Sequence, residues 1–149
     1  MRQPLEDRMT TAHSQHQPRV GCGAVIQRAD GAVLLVQRGR PPEQGHWGLP
    51  GGKVDWMETL EHAVAREVLE ETGLQLAVER LLCVVDHFEP VLGQHWVAPV
   101  YLMRAPAEAR AMRLEPDAIL ALDWFQPDAL PAPLTRSATE GLARVFIHA

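Results

Sequence analysis

The chain has 149 residues, a formal charge of −5 and two cysteines, and 46% of its residues are apolar. This length favours one domain with a real core, and the acidic balance argues against a nucleic-acid polymer held on a basic surface. Cys22 and Cys83 each sit in an apolar run without metal-ligand spacing, which excludes a disulfide scaffold and reads as two reduced core thiols.

The N-terminal MRQPLEDRMTTAHSQHQPR lacks an apolar stretch, so it is read as neither signal peptide nor membrane span. The expectation is a cytoplasmic protein with a mobile leader over 1–18 and one domain over 19–149. From Val20 to Gln27 the chain is apolar and β-rich, and Asp30-Gly31 marks a hairpin turn before a second strand from Ala32 to Gln37. Arg40 to Gly45 reads as loop, His46 to Pro50 as a short extended piece, and Gly51-Gly52 as a tight loop. A helix then runs from about Thr59 to Thr72, with Gly73 as its C-cap. Leu76–His87 and His95–Arg104 read as two strands around a turn at Glu89–Gly93, followed by a polar loop from Ala105 to about Pro116. Ala121–Gln126 is a further strand, and Leu134–His148 a closing helix with Thr135 or a neighbour as N-cap.

The first helix carries the strongest chemical signal. Leu60, Ala63, Val64, Glu67 and Glu71 form one stripe at spacings of three and four, apolar in its first half and anionic in its second. Glu67 repels Glu70 and Glu71 by roughly 0.2–0.5 kcal/mol per pair unless positive charge lies between them. Carboxylates near a helix C-terminus also oppose the helix dipole. A solvated acidic helix end is the plain alternative, and a divalent cation is the stronger reading.

The spacing Gly52, Glu58, Arg66-Glu67-Val68, Glu70-Glu71, Gly73-Leu74 resembles the Nudix box, with every specified position filled. The GHWGLPGG entry, the loop EPDAILALDWF and the following PDALP are similar to the branch of small nucleoside triphosphate diphosphatases. The resemblance implies an α/β fold, the Nudix α/β/α sandwich with a mixed β-sheet and a catalytic loop-helix-loop motif. It also implies metal-dependent hydrolysis of a diphosphate linkage in a nucleoside diphosphate derivative, with a nucleoside triphosphate giving monophosphate and pyrophosphate as the leading substrate. Hydrolysis of ADP-ribose or a nucleotide sugar is the alternative within the enzymes. A non-catalytic nucleotide-sensing module is the alternative outside them, and the complete box weighs against it.

Residue by residue, the resemblance places Glu67, Glu70, Glu71 and the Gly51 carbonyl as ligands of Mg2+ or Mn2+, with Glu67 alternatively the general base, as first choice ahead of a loop acid. Such hard cations suit carboxylate oxygens. Glu58 supports the site and Arg66 pairs with a carboxylate to orient it. A further acid in the loop before the last strand is common in the family, and Asp117 and Glu115 lie there, with Asp123 as a third option. Arg38 and Arg40, beyond a strand end, are candidates for phosphate contact; Trp47, His87, His95, Trp124 and Phe125 are candidates for stacking on a base or hydrogen-bonding to it. For Trp47 and Phe125 the alternative is a core position, and for each histidine a structural one. The expected partner is a small nucleotide, and relatives of this family are often homodimers.

Overall fold

The computed structural model describes residues 16–146. The expected leader lies outside the described residues apart from 16–18, as does the end of the closing helix beyond Phe146. The elements are β1 (Arg19–Arg28), β2 (Val33–Arg38), β3 (Trp47–Gly48), β4 (Gly51–Lys53), α1 (Leu60–Thr72), β5 (Val78–Glu89), β6 (Gln94–Ala105), β7 (Ile119–Phe125) and α2 (Arg136–Phe146).

All seven strands join one mixed sheet in the order β3-β2-β1-β6-β5, with β4 also paired to β1 and β7 to β2. Parallel pairing of β1 with β6 sets Gly23 beside Val100 and Val25 beside Leu102. Alternate residues then serve opposite layers. Cys22, Ala24, Ile26, Tyr101 and Met103 pack with Ala63, Val64 and Val68 of α1. Val25, Val100 and Leu102 pack with Ala138 and Leu142 of α2. Burial on both faces explains why these strands read as continuous apolar runs instead of alternating ones, and it makes the molecule an α/β/α sandwich.

Local chemistry fixes several boundaries. At the β1–β2 turn, Gly31 has φ 90°, a conformation glycine adopts at little cost, and the Asp30 carboxylate accepts the Ala32 N–H at 3.1 Å. The Thr59 side chain caps α1 by accepting the His62 N–H at 3.2 Å. Gly73, at φ 75°, ends the helix and returns its N–H to the Leu69 carbonyl. Thr135 caps α2 by accepting the Ala138 N–H at 3.2 Å.

Two elements differ from expectation. Gly51-Gly52, read as a loop, belongs to β4, antiparallel to β1 with Cys22 opposite Gly52 and Gly23 opposite Gly51. A Cβ on Gly51 would run into the Cys22 carbonyl and stand 2.7 Å from the Gly23 Cα, so this close pairing requires glycine. β7 begins at Ile119, two residues before the expected Ala121, because its pairing with β2 continues through a bulge at Gln37/Arg38 to match Arg38 with Ile119. Cys22 is a buried thiol and Cys83 a half-buried one, both free.

Candidate active site

β4 delivers the polypeptide to the N-terminus of α1, and the carboxylates on the second half of that helix come back alongside β4. Arg66 is the hub. Its Nε and Nη2 donate to both oxygens of Glu58 at 2.7 and 2.8 Å. Its Nη1 donates to Glu67 at 3.1 Å and to Glu70 at 3.2 Å, and Nη2 also reaches the Lys53 carbonyl at 3.1 Å. The bidentate pair holds Glu58 well below the usual carboxyl range, at about 2, and raises the pKa of Arg66. Glu58 further accepts the Asp55 N–H at 3.1 Å, so it ties the loop to the helix.

Glu67 packs its carboxyl against Gly52, where a Cβ would stand 2.6 Å from each of its oxygens. Glycine at 52 thus makes the space that the carboxyl occupies. Burial raises the pKa of Glu67, opposed by Arg66. Glu71 is 7% exposed, and its carboxyl is pushed up to about 9, first by burial and then by the charges of Glu67 and Glu115. The Gly51 amide and the Arg38 charge offset only part of this. Glu70 is the exposed member, with its side chain 47% accessible.

The loop acid of the pair proposed from sequence that the fold brings to the cluster is Glu115. The Met112 N–H donates to the Thr72 carbonyl at 2.9 Å and the Leu114 N–H to the Glu71 carbonyl at 3.2 Å, docking the loop on the end of α1. Glu115 then raises the pKa of both Glu67 and Glu71. Asp117 is exposed, and Asp123 spends a carboxylate oxygen on the Trp124 N–H at 2.8 Å.

Among the described residues, no three His, Cys, Asp or Glu side chains already converge as a ready-made metal cage; Arg66 engages one oxygen each of Glu67 and Glu70. The donor set nevertheless fits a hard divalent cation. All its side-chain donors are carboxylate oxygens, and the buried Glu71 has only the partial offset of Arg38 against its acidic neighbours.

Beside the carboxylates lies a cleft of about 190 Å³ lined by Gly21, Arg38, Gly52, Lys53, His87 and Trp96, among others. Of the substrate residues proposed from sequence, Arg38 and His87 line it. Arg40 is exposed at the end of the β2 loop. Trp47 and Phe125 pack edge to face at 5.0 Å in the core beneath α2, and neither lines the cleft. His95 points to the other face of its strand, where it stacks on Phe88 at 4.6 Å and pairs with Asp86 at 3.2 Å. Trp124 lies under the Arg28 guanidinium, 4.7 Å from its ring centroid. Sequence reasoning missed Trp96, Lys53 and Gly21. The signal for Trp96 is parity: it pairs directly with His87 across β5–β6, so a histidine in the cleft implies its partner there as well.

A family model, the NUDIX domain, matches residues 17–146, and the chain belongs to the Nudix hydrolase family. The human 8-oxo-dGDP phosphatase is 36% identical over 112 residues, covering 74% of this chain and 33% of that protein. The NAD-capped RNA hydrolase of Escherichia coli O157:H7 is 35% identical over 113 residues, 74% of this chain and 40% of that one. The crystal structure of a MutT NUDIX hydrolase from Burkholderia pseudomallei superposes with a TM-score of 0.78 at 56% identity, covering 87% of this chain and 98% of its own. The chain spans 33% and 40% of the length of those two curated relatives. Nudix hydrolases act on nucleoside diphosphate derivatives and generally use a divalent metal such as Mg2+ or Mn2+. Among the described residues, no helix is long and apolar enough to cross a membrane.

Proposed function

We propose that this chain hydrolyses a nucleoside triphosphate to the monophosphate and pyrophosphate. The observation that carries the reading is the adjacency of an acidic cluster to a small cleft whose lining includes two cations, Arg38 and Lys53, with Glu43: Glu67 touches Gly52, the charge of Arg38 is felt by Glu71, and Arg38 and Gly52 line the same cleft as Lys53. A polyphosphate entering there meets Arg38 and Lys53 first, which attract its oxygens and align it.

Glu67, Glu70, Glu71 and the Gly51 carbonyl would hold Mg2+ or Mn2+, which when bound neutralises phosphate oxygens and acidifies water. Glu67 is the general base. It is partly buried, its pKa is raised, and Arg66 fixes one of its oxygens, leaving the other to take the proton of the attacking water. Water adds to one phosphorus, its proton passes to Glu67, and the bridging P–O bond breaks to release pyrophosphate. Glu58 holds Arg66 in place for this step, and Glu115 closes the acidic cluster from the loop side.

The relatives support a nucleoside diphosphate derivative as substrate, without singling out a triphosphate: their names specify 8-oxo-dGDP and NAD-capped RNA. ADP-ribose is the second reading, favoured by an ADP-ribose pyrophosphatase of Methanocaldococcus jannaschii that is 37% identical over 86 residues, 58% of this chain and 50% of that protein. The deciding experiment assays canonical and oxidised nucleoside triphosphates, ADP-ribose, dinucleoside polyphosphates and nucleotide sugars with Mg2+ and with Mn2+. Triphosphates are expected to give the highest kcat/KM. ADP-ribose or a sugar nucleotide ahead by more than about tenfold, ~1.4 kcal/mol in transition-state stabilisation, rejects the triphosphatase and keeps the hydrolase.

A further inference from the structure

The wall of the cleft nearest the start of β6 is the indole of Trp96. The Trp96 ring N–H donates to the Gln94 side chain at 3.0 Å. The Arg19 guanidinium stands 5.6 Å from the ring centroid. Ring carbon Cε3 lies 3.5 Å from where a Cβ would stand on Gly21, so the indole leans over a strand position that has no side chain. Trp96 is only partly buried, and no hydrophobic neighbour closes it into either core cluster. A large aromatic side chain held by Gln94 and flanked by Arg19, yet left facing a cleft, is a prepared surface and not a gap-filler.

The size of that cleft limits what it takes. At about 190 Å³ it falls below the roughly 300–1,000 Å³ of pockets that enclose whole drug-sized ligands. It admits one ring system beside Trp96, with the phosphates at the end lined by Arg38, Lys53 and Gly52, toward the carboxylates. The chemistry of the wall narrows the choice further. The one polar atom of the indole is already satisfied by Gln94, so the ring offers its π-face and no hydrogen-bonding edge.

We infer that Trp96 is a specificity-determining residue, the platform on which the base of the nucleotide stacks, and that it reads the presence of a planar base without reading which base. This rests on the nucleotide reading given above. Stacking is tolerant because every base has a π-face. Discrimination among bases falls to His87, the direct cross-strand partner of Trp96, whose Nε2 is paired with Glu89 at 2.9 Å.

The test is calorimetric binding, with Mg2+, of the four canonical nucleoside triphosphates as their α,β-methylene analogues, and of inorganic tripolyphosphate. Trp96→Ala is expected to weaken all four nucleotides by a similar factor of about 5- to 100-fold, the size of one base–aromatic stack, and tripolyphosphate by less than about twofold. Trp96→Phe keeps an aromatic face and should bind nucleotides within about threefold of wild type, while losing the quenching of indole emission that stacking produces. Equal losses for nucleotides and tripolyphosphate would show a merely structural role and overturn the inference. So would unchanged nucleotide binding in Trp96→Ala, or undiminished quenching in Trp96→Phe. A wild-type chain that binds the analogues in this way but hydrolyses no nucleotide sinks the proposed reaction and leaves the platform standing; one that binds no nucleotide removes the platform.

Discussion

Helices α1 and α2 cover opposite faces of the same sheet and bury themselves by different rules. The inner face of α2 is wholly satisfied by protein: Ala138, Gly141 and Leu142 are its buried residues, and Gly141 fits so closely that a Cβ would come within 2.9 Å of Val100 and 3.2 Å of Val25. The inner face of α1 starts in the same way with Ala63, Val64 and Val68, then continues into Glu71, also buried. No basic residue occupies the last turn of α1; of the cations nearby, Arg66 is shared among Glu58, Glu67 and Glu70 and Arg38 offsets only part of the charge at Glu71. One helix finishes its interactions within the fold. The other is left short of positive charge, which is what a site needs if its ligand is to supply that charge.

If this contrast is right, damage to α2 should register as lost stability and damage to the end of α1 as lost chemistry. Leu142→Ala empties a core position that is 3% exposed and should cost about 2–5 kcal/mol in denaturant unfolding, with kcat per folded molecule nearly unchanged. A parallel collapse of kcat in the folded fraction would erase the distinction.

Glu70→Gln and Glu71→Gln should each lower turnover at least about a hundredfold, ~2.7 kcal/mol, with circular dichroism unaltered. Near-wild-type turnover of both at limiting Mg2+ would remove the proposed metal site. Stability should move the other way in the Glu71 variant. Without added metal, the folded chain keeps a proton on Glu71 up to about pH 9, whereas the unfolded chain releases it near 4.5. The folded state therefore binds more protons across that window, so this carboxyl makes stability fall as pH rises from about 4.5 to about 9, on the order of a few kcal/mol at most. Glu71→Gln should flatten that slope and leave metal-free stability equal or slightly higher. Mg2+ should raise the wild-type Tm by binding the native state and raise that of the variant less; an unchanged metal shift would locate the cation elsewhere.

Gly52→Ala is a finer probe, because the inserted methyl meets the far end of a flexible Glu67 side chain. The carboxyl can move aside, so stability should change by under about 1 kcal/mol, while displacement of the base should lower kcat about tenfold, ~1.4 kcal/mol. Loss of stability with kcat intact would mean that Glu67 is structural.

The smallest effect belongs to a region remote from both helices. Asp30 in the β1–β2 turn is held at about 2 by Arg28 and by the Ala32 N–H. Its contribution is present above the ordinary carboxyl value near 4 and is lost as pH falls toward 2. Asp30→Ala should remove a shallow acid-side slope from stability and leave kcat unchanged; an unaltered slope would show that the ion pair is only a surface contact.

Much of the α1 region was legible because its signals are local. Thr59, Gly73 and the stripe from Leu60 to Glu71 act within a few turns of one helix, and the Asp30-Gly31 turn likewise needs only its neighbours. The illegible parts depend on long-range pairing. Gly51-Gly52 looks like a loop until β1, some 30 residues earlier, is set against it. Trp96 looks like any strand aromatic until the register places it beside His87 and across from Arg19. Trp47 and Phe125, base-platform candidates for which the sequence favours a core position, find each other across strands brought together by β2. Glu115 could be separated from Asp117 only once backbone bonds at Met112 and Leu114 had fixed the loop.

Those two bonds have a consequence for how this loop can vary. Pro106, Ala107 and Glu108 are exposed, so lengthening or shortening the chain there should leave the acidic cluster where it is, whereas Ala105, Ala109 and Ala111 pack on the core beneath α1. Between Met112 and Glu115 the backbone is in fixed step with the last turn of α1, through the Thr72 and Glu71 carbonyls. A single inserted residue there would turn the acid out of phase with the helix while every strand stayed in place, so this short stretch works as a gauge block: it sets a distance, and it does so without contributing a core side chain of its own.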